Sequence, residues 1–201
     1  LKCNPIVIKK KMNQDIKLLA KTLQEVMPEV CKEWNNDNLG RFLYAYRNKP
    51  FKEIFKNRQT QEKTKAISPI IDEIVAEFIQ EKIEAFTITE GKGFDYTLNN
   101  TEIEWKNSLS NSESWTGNGY KKTNWHVLCK FVMNEDGKIE KYFACIVPYD
   151  NIKSNWSKPK NSNFSSLKLL ISDYNNIIKV VGDLIPKKKY LEPQFVNNCS
   201  L

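Results

Sequence analysis

Near residue 94 the spacing of apolar side chains changes, and that change limits what this chain can fold into more than any other feature. From Ile70 to Phe86 the residues Ile71, Ile74, Val75, Phe78, Ile79 and Ile83 recur every three or four positions, which places one buried stripe on a helix. Ser68 and Pro69 mark its expected start, because proline suits the first helical position. After residue 94 the pattern alternates: Phe94-Asp95-Tyr96-Thr97-Leu98 and Thr101-Glu102-Ile103-Glu104-Trp105-Lys106 are two strands joined by Asn99-Asn100, a β-hairpin. A long amphipathic helix that runs into a hairpin predicts an α/β fold, with a central mixed β-sheet flanked by helices.

The rest of the chain extends this plan. Between Asn13 and Trp34, Ile16, Leu19, Ala20, Leu23, Val26, Met27 and Val30 form another helical stripe, which Pro28 is expected to kink or split. Asp37-Asn38 offers a cap for a second helix through Leu39, Phe42, Leu43 and Tyr46, and Pro50 opens a short third one. Residues 13–57 thus read as a helical N-terminal part, and the polar stretch 57–66 as a loop. Beyond the hairpin come a Ser- and Asn-rich loop over 107–124, strands over Trp125–Met133 and Ile139–Val147 around Glu135-Asp136-Gly137, and a C-terminal elaboration over 150–201. Within the elaboration, Leu167–Ile171 suits either a short strand or a helix start, and Tyr174–Leu184 reads as helix. No repeat or linker divides the chain, so 1–201 is expected to be one domain with its core at about 69–147.

The hairpin concentrates the chemistry. Alternation puts Glu102, Glu104 and Lys106 on one face of their strand and Ile103 and Trp105 on the core face. A tight hairpin also sets Asp95 beside Glu104 across the pair. Two carboxylates side by side form a hard-oxygen site of the kind Mg²⁺ takes, since that ion uses one or two protein carboxylates together with water and a substrate phosphate.

Asp95 followed by Glu104-Trp105-Lys106 resembles the signature of the PD-(D/E)XK nucleases, although Phe94 stands where the motif's proline would be. Helix, motif-bearing hairpin and two further strands follow in the order of that class's restriction-endonuclease-like core. The resemblance implies a type II restriction endonuclease: a Mg²⁺-dependent enzyme that hydrolyses double-stranded DNA at specific sites and acts as a homodimer on a palindrome. It implies that Asp95 and Glu104 bind the metal, and that Lys106 positions or helps deprotonate the attacking water. The class often carries an extra acid on the preceding helix, here Glu73 or Glu77, and Glu102 shares the face of Glu104. A repair or junction-resolving nuclease and a non-catalytic nucleic-acid-binding protein are the alternatives.

The loop Ser114-Trp115-Thr116-Gly117-Asn118-Gly119-Tyr120-Lys121-Lys122 interleaves glycine, aromatic and cationic residues. Trp115, Asn118, Tyr120, Lys121 and Lys122 are its candidate DNA contacts, with asparagine suited to an adenine edge and lysine to phosphate. A surface loop anchored by its aromatics fits the same composition. His126 is the sole histidine, which excludes histidine-metal nucleases, paired-histidine zinc hydrolases and histidine-pair ribonucleases, and it reads as a packed residue. No phosphate-binding Gly-x-x-x-x-Gly-Lys loop is present. The balance of 31 Lys and Arg against 24 Asp and Glu, net +7, suits a polyphosphate partner. Five scattered cysteines without a Cys-x-x-Cys pair, and the lack of any apolar run of membrane length, point to a cytoplasmic protein with no membrane association.

Overall fold

The computed structural model describes residues 14–57, 60–89, 94–109, 114–117, 125–152, 165–168 and 178–182. Helix α1, Gln14–Glu33, turns Ile16, Leu19, Leu23, Val26, Met27 and Val30 wholly inward and runs unbroken through Pro28. A continuous packed stripe there outweighs the hydrogen bond that proline cannot donate. The next residues form no loop and no new cap: Trp34–Asn38 make a π turn that passes directly into α2, Leu39–Ala45, and the Asn38 amide bonds Glu33 rather than capping. The wider turn aims two successive side chains at one target. Trp34 Nε1 donates to the carbonyl of Gly137 at 2.9 Å, and Asn35 exchanges hydrogen bonds with the backbone of Ile139 at 2.8 and 3.1 Å.

Pro50 does precede a short helix, α3, Phe51–Ile54. Helix α4 then spans Thr60–Lys82, so the expected loop over 57–66 is largely helical and Pro69 lies inside the helix instead of opening it. The stripe extends backwards through Ala66 and Ile67 into the core, and Lys63 lies 4.9 Å from the centre of the Phe51 ring. Lys82 of α4 pairs with Glu25 of α1 at 3.5 Å.

The strands are β1 Phe86–Ile88, β2 Tyr96–Leu98, β3 Thr101–Ser108, β4 Ser114–Gly117, β5 Trp125–Met133 and β6 Ile139–Pro148. After the short helix α5, Tyr149–Ile152, come β7 Ser165–Lys168 and β8 Ile178–Gly182. Six of them form an open sheet in the order β1-β2-β3-β5-β6-β8, while β4 and β7 pair as a separate ribbon. Every pairing in the sheet is antiparallel except β3 with β5, which makes it mixed. Phe86 belongs to strand β1 rather than to the preceding helix, and Ile178–Gly182 is strand where helix was expected. The β-branched run Ile177-Ile178-Lys179-Val180-Val181 explains the latter.

Both faces of the central strands are covered. Val127, Cys129, Phe131, Ala144 and Ile146 pack toward α1 and α4, whereas Leu128, Phe143, Cys145 and Val147 join Trp115, Tyr149 and Ile152 on the other side. Burial on both faces accounts for the uninterrupted apolar runs of β5 and β6. Among the described residues, no helix is long and apolar enough to cross a membrane.

The β5–β6 turn supplies a test of this packing. Gly137 has φ +87°, and a Cβ there would fall 2.5 Å from Cδ2 of the buried Phe51 ring. Gly137→Ala therefore combines a left-handed backbone penalty with overpacking and is expected to lower unfolding free energy by about 2 to 4 kcal/mol. Urea denaturation measures it, and a loss below about 0.5 kcal/mol would contradict the packing of α3 against this turn.

Candidate active site

The hairpin is fixed at its turn before it is fixed at its chemistry. Asn99 adopts φ 52°, a left-handed conformation that asparagine tolerates. Asp15, in the first turn of α1, accepts 2.8 Å hydrogen bonds from both the Asn99 amide and the Thr101 hydroxyl. With the turn held, Thr97 lies opposite Glu102 and Tyr96 opposite Ile103, and the same register carried one residue further sets Asp95 opposite Glu104. The backbone N–H of Asp95 donates to the Ile103 carbonyl at 3.1 Å, and its carboxylate Oδ2 accepts the Trp105 N–H at 2.7 Å.

The expected three residues come together. Lys106 Nζ lies 2.5 Å from Glu104 Oε1 and 3.3 Å from Asp95 Oδ2, and it donates to the Trp105 carbonyl at 2.9 Å. Side-chain exposure is 3% for Glu104, 15% for Lys106 and 43% for Asp95, so the cluster is buried at its base and opens to solvent through Asp95. Burial of Lys106 favours loss of its proton, but the two facing carboxylates outweigh that effect and hold its pKa above the ordinary lysine value.

A fourth polar group arrives from α4. Asp72 accepts a short hydrogen bond from the Asn107 amide, and its pKa is raised to about 7 by burial and by the charge of Asp95, against the opposing pull of Lys106. Glu73 and Glu77, the acids expected from this helix, are exposed instead and line a groove with Glu33, Arg41 and Glu81. Helical phase explains the difference. Asp72 shares its stripe with the buried Val75, Ala76, Ile79 and Ile83, and a charged residue in phase with a buried stripe is the signal by which it was recognisable. Glu102 is exposed, two residues from the cluster and opposite Thr97. Asn107, which holds Asp72, was likewise absent from the expected site.

His126 is fully buried, stacked on Tyr149 with centroids 5.5 Å apart, and aligned on β5 with Glu104 of the parallel strand β3. This is a packed histidine, as expected. Trp115 is 1% exposed, its indole N–H donates to the Cys129 carbonyl at 2.9 Å, and the Lys130 ammonium lies 4.2 Å from its ring centre. A side chain so enclosed anchors the β4 ribbon to the sheet and offers no surface to a ligand, so its expected DNA contact is set aside. Asn118, Tyr120, Lys121 and Lys122 lie outside the described residues.

Among the described residues, no group of three or more His, Cys, Asp or Glu side chains is arranged to hold a metal ion. The smaller donor set nonetheless fits Mg²⁺. Asp95 and Glu104 offer hard carboxylate oxygens that one ammonium reaches, Asp95 is open to solvent, and two carboxylates face a single lysine, a local excess of negative charge. No family model matches the chain, and a search of curated proteins gave no significant match.

The raised pKa of Asp72 makes stability depend on pH. A carboxyl that binds its proton more tightly folded than unfolded contributes stability that is complete below about pH 4 and lost as pH rises through about 7. Asp72→Asn removes the charge and keeps an acceptor for Asn107. Relative to wild type it is expected to gain stability from pH 5 to pH 8, by on the order of 2 to 4 kcal/mol. Urea titrations of both proteins in chelator check this, and parallel pH profiles would contradict the burial of Asp72.

Proposed function

We propose that this protein is a Mg²⁺-dependent endonuclease that hydrolyses phosphodiester bonds in double-stranded DNA. The observation that carries the reading is the Lys106 ammonium set between Asp95 and Glu104 at the open end of a hairpin. A phosphodiester transition state gathers negative charge on its nonbridging oxygens, and a fixed ammonium beside a carboxylate pair suits that charge. Asp95 and Glu104 would hold the ion, which when bound supplies Lewis acidity at the phosphate and a more acidic water. While Lys106 faces two carboxylates it keeps its proton, and it therefore acts as a hydrogen-bond donor and positive charge rather than as a base. The exposed side of Asp95 gives phosphate its approach.

The finer reading is a site-specific restriction enzyme in the cytoplasm, acting as a homodimer whose two-fold axis matches that of a palindromic site. It rests on the resemblance of the Asp95, Glu104-x-Lys106 pattern to the PD-(D/E)XK class and on the net charge of +7. The test is incubation of purified protein with a panel of plasmid and phage DNAs in Mg²⁺. Discrete fragments are expected with Mg²⁺, and binding without cutting with Ca²⁺. Binding with no cleavage in Mg²⁺ or Mn²⁺ across the panel would replace this reading with a non-catalytic nucleic-acid-binding role.

A further inference from the structure

Trp105 sits between two of the site's residues, and strand alternation sends its side chain to the opposite face of the sheet from theirs. Its peptide groups nevertheless serve the site: the Trp105 N–H donates to Asp95 Oδ2 at 2.7 Å, and the Trp105 carbonyl accepts from Lys106 Nζ at 2.9 Å. Any tilt of the strand at this residue therefore moves Asp95 and Lys106 together. On the far face the indole meets the Tyr96 ring edge-on, with centroids 5.7 Å apart at 74°, and its Nε1–H donates to Asn107 Oδ1 at 2.9 Å. Asn107 in turn donates through Nδ2 to Asp72 on α4.

The chemistry leaves the Asn107 amide one orientation. An indole nitrogen only donates, so it requires the amide oxygen, and a carboxylate accepts, so it takes the amide nitrogen. The chain Asp72–Asn107–Trp105 thus ties helix α4 to the peptide groups that hold two of the three site residues. We infer that Asn107 is a positioning residue for the active site, fixing the Trp105 backbone so that Asp95 and Lys106 keep their geometry. This deepens the proposed nuclease function and depends on it for its catalytic consequence alone, since the backbone effect exists whatever the reaction.

Two variants separate the possibilities. Asn107→Leu removes donor and acceptor at similar volume. The exchanged pair Asp72→Asn with Asn107→Asp keeps every hydrogen bond, because Asn at 72 donates to Asp at 107 and the carboxylate still accepts from the indole. In Asn107→Leu, amide hydrogen exchange at the Trp105 backbone N–H and indole N–H is expected to rise at least tenfold, while the amides of β5 and β6 keep their protection. For cleavage, kcat is expected to fall at least tenfold with KM within about twofold, and the exchanged pair to recover both properties to within about threefold. Unchanged exchange at the Trp105 backbone amide in Asn107→Leu would overturn the inference, and that result is readable even in a protein that cuts nothing. Faster exchange with kcat within twofold of wild type would also overturn its catalytic part. Should Asn107→Leu fail to fold, the exchanged pair decides: native exchange with kcat recovered supports the inference, and native exchange with kcat still reduced more than tenfold assigns the chemistry to Asp72 itself. A wild type that cleaves no DNA fails the nuclease reading alone and leaves the exchange measurements to decide the positioning.

Discussion

Replacement of Glu104 by Gln or of Asp95 by Asn is expected to slow Mg²⁺-dependent cleavage of plasmid DNA by at least about a thousandfold, or about 4 kcal/mol in the barrier. Both substitutions keep the shape of the side chain. Asn at 95 retains an oxygen for the Trp105 N–H, which the native carboxylate holds at 2.7 Å, so the hairpin should keep its register. What is lost is the negative charge that would hold a divalent ion, and a carboxamide is a poor substitute for a hard cation. Each variant should still bind DNA in Ca²⁺, within about tenfold of wild type. Initial rates on supercoiled plasmid, with circular dichroism to confirm folding, make the measurement. Cleavage by either variant within tenfold of wild type would remove the assigned site, and Glu102, on the same strand face, would be the first acid to test in its place.

The hairpin was the most legible part of this chain because its local signals agree. Alternation, the Asn99-Asn100 turn and the acid-x-lysine spacing all specify one register, and the structure brings Asp95, Glu104 and Lys106 together in it. Strand β5 matched its expected bounds, and β6 extends one residue beyond its own, to Pro148, for the same reason. Where expectation failed, a tertiary contact overrode a local sign. Pro69 reads as a helix start, yet packing of Ile67 and Ala66 carries α4 back to Thr60. Asp37-Asn38 reads as a cap, yet the contacts of Trp34 and Asn35 with the β5–β6 turn favour a continuous π turn.

The face of Glu104 was expected to lie opposite the core, and strand periodicity alone could not show that a second apolar layer of Trp115, Leu128, Cys145 and Val147 lies on that side. The same blindness explains Trp115, which local composition places in a ligand-binding loop and which the sheet buries. Asp72 was legible in principle. Its helical phase with Val75 and Ile79 carries the information, whereas counting acids on the helix points to the exposed Glu73 and Glu77.

Burial of Glu104 has a consequence that needs no substrate. Lys106→Met keeps the aliphatic stem but takes away the ammonium 2.5 Å from Glu104 Oε1 and 3.3 Å from Asp95 Oδ2, leaving these two carboxylates with that charge gone. Removing one member of a buried ion pair costs far more than the pair contributes, because the remaining charge stays desolvated. The variant is expected to lose roughly 3 kcal/mol of unfolding free energy at pH 7 in chelator. Glu104→Gln combined with Lys106→Met should regain most of it, since an amide carries no charge to desolvate. If Asp95 and Glu104 hold a divalent ion, millimolar Mg²⁺ or Ca²⁺ should stabilise Lys106→Met more than wild type. The gain would approach about 2.7 kcal/mol when the ion reaches a hundred times its dissociation constant. Thermal and urea unfolding with and without the ion measure both effects. Stability equal to wild type in chelator would show that Lys106 does not balance a buried carboxylate, and an absence of ion-dependent stabilisation in the single variant would count directly against Asp95 and Glu104 as metal ligands.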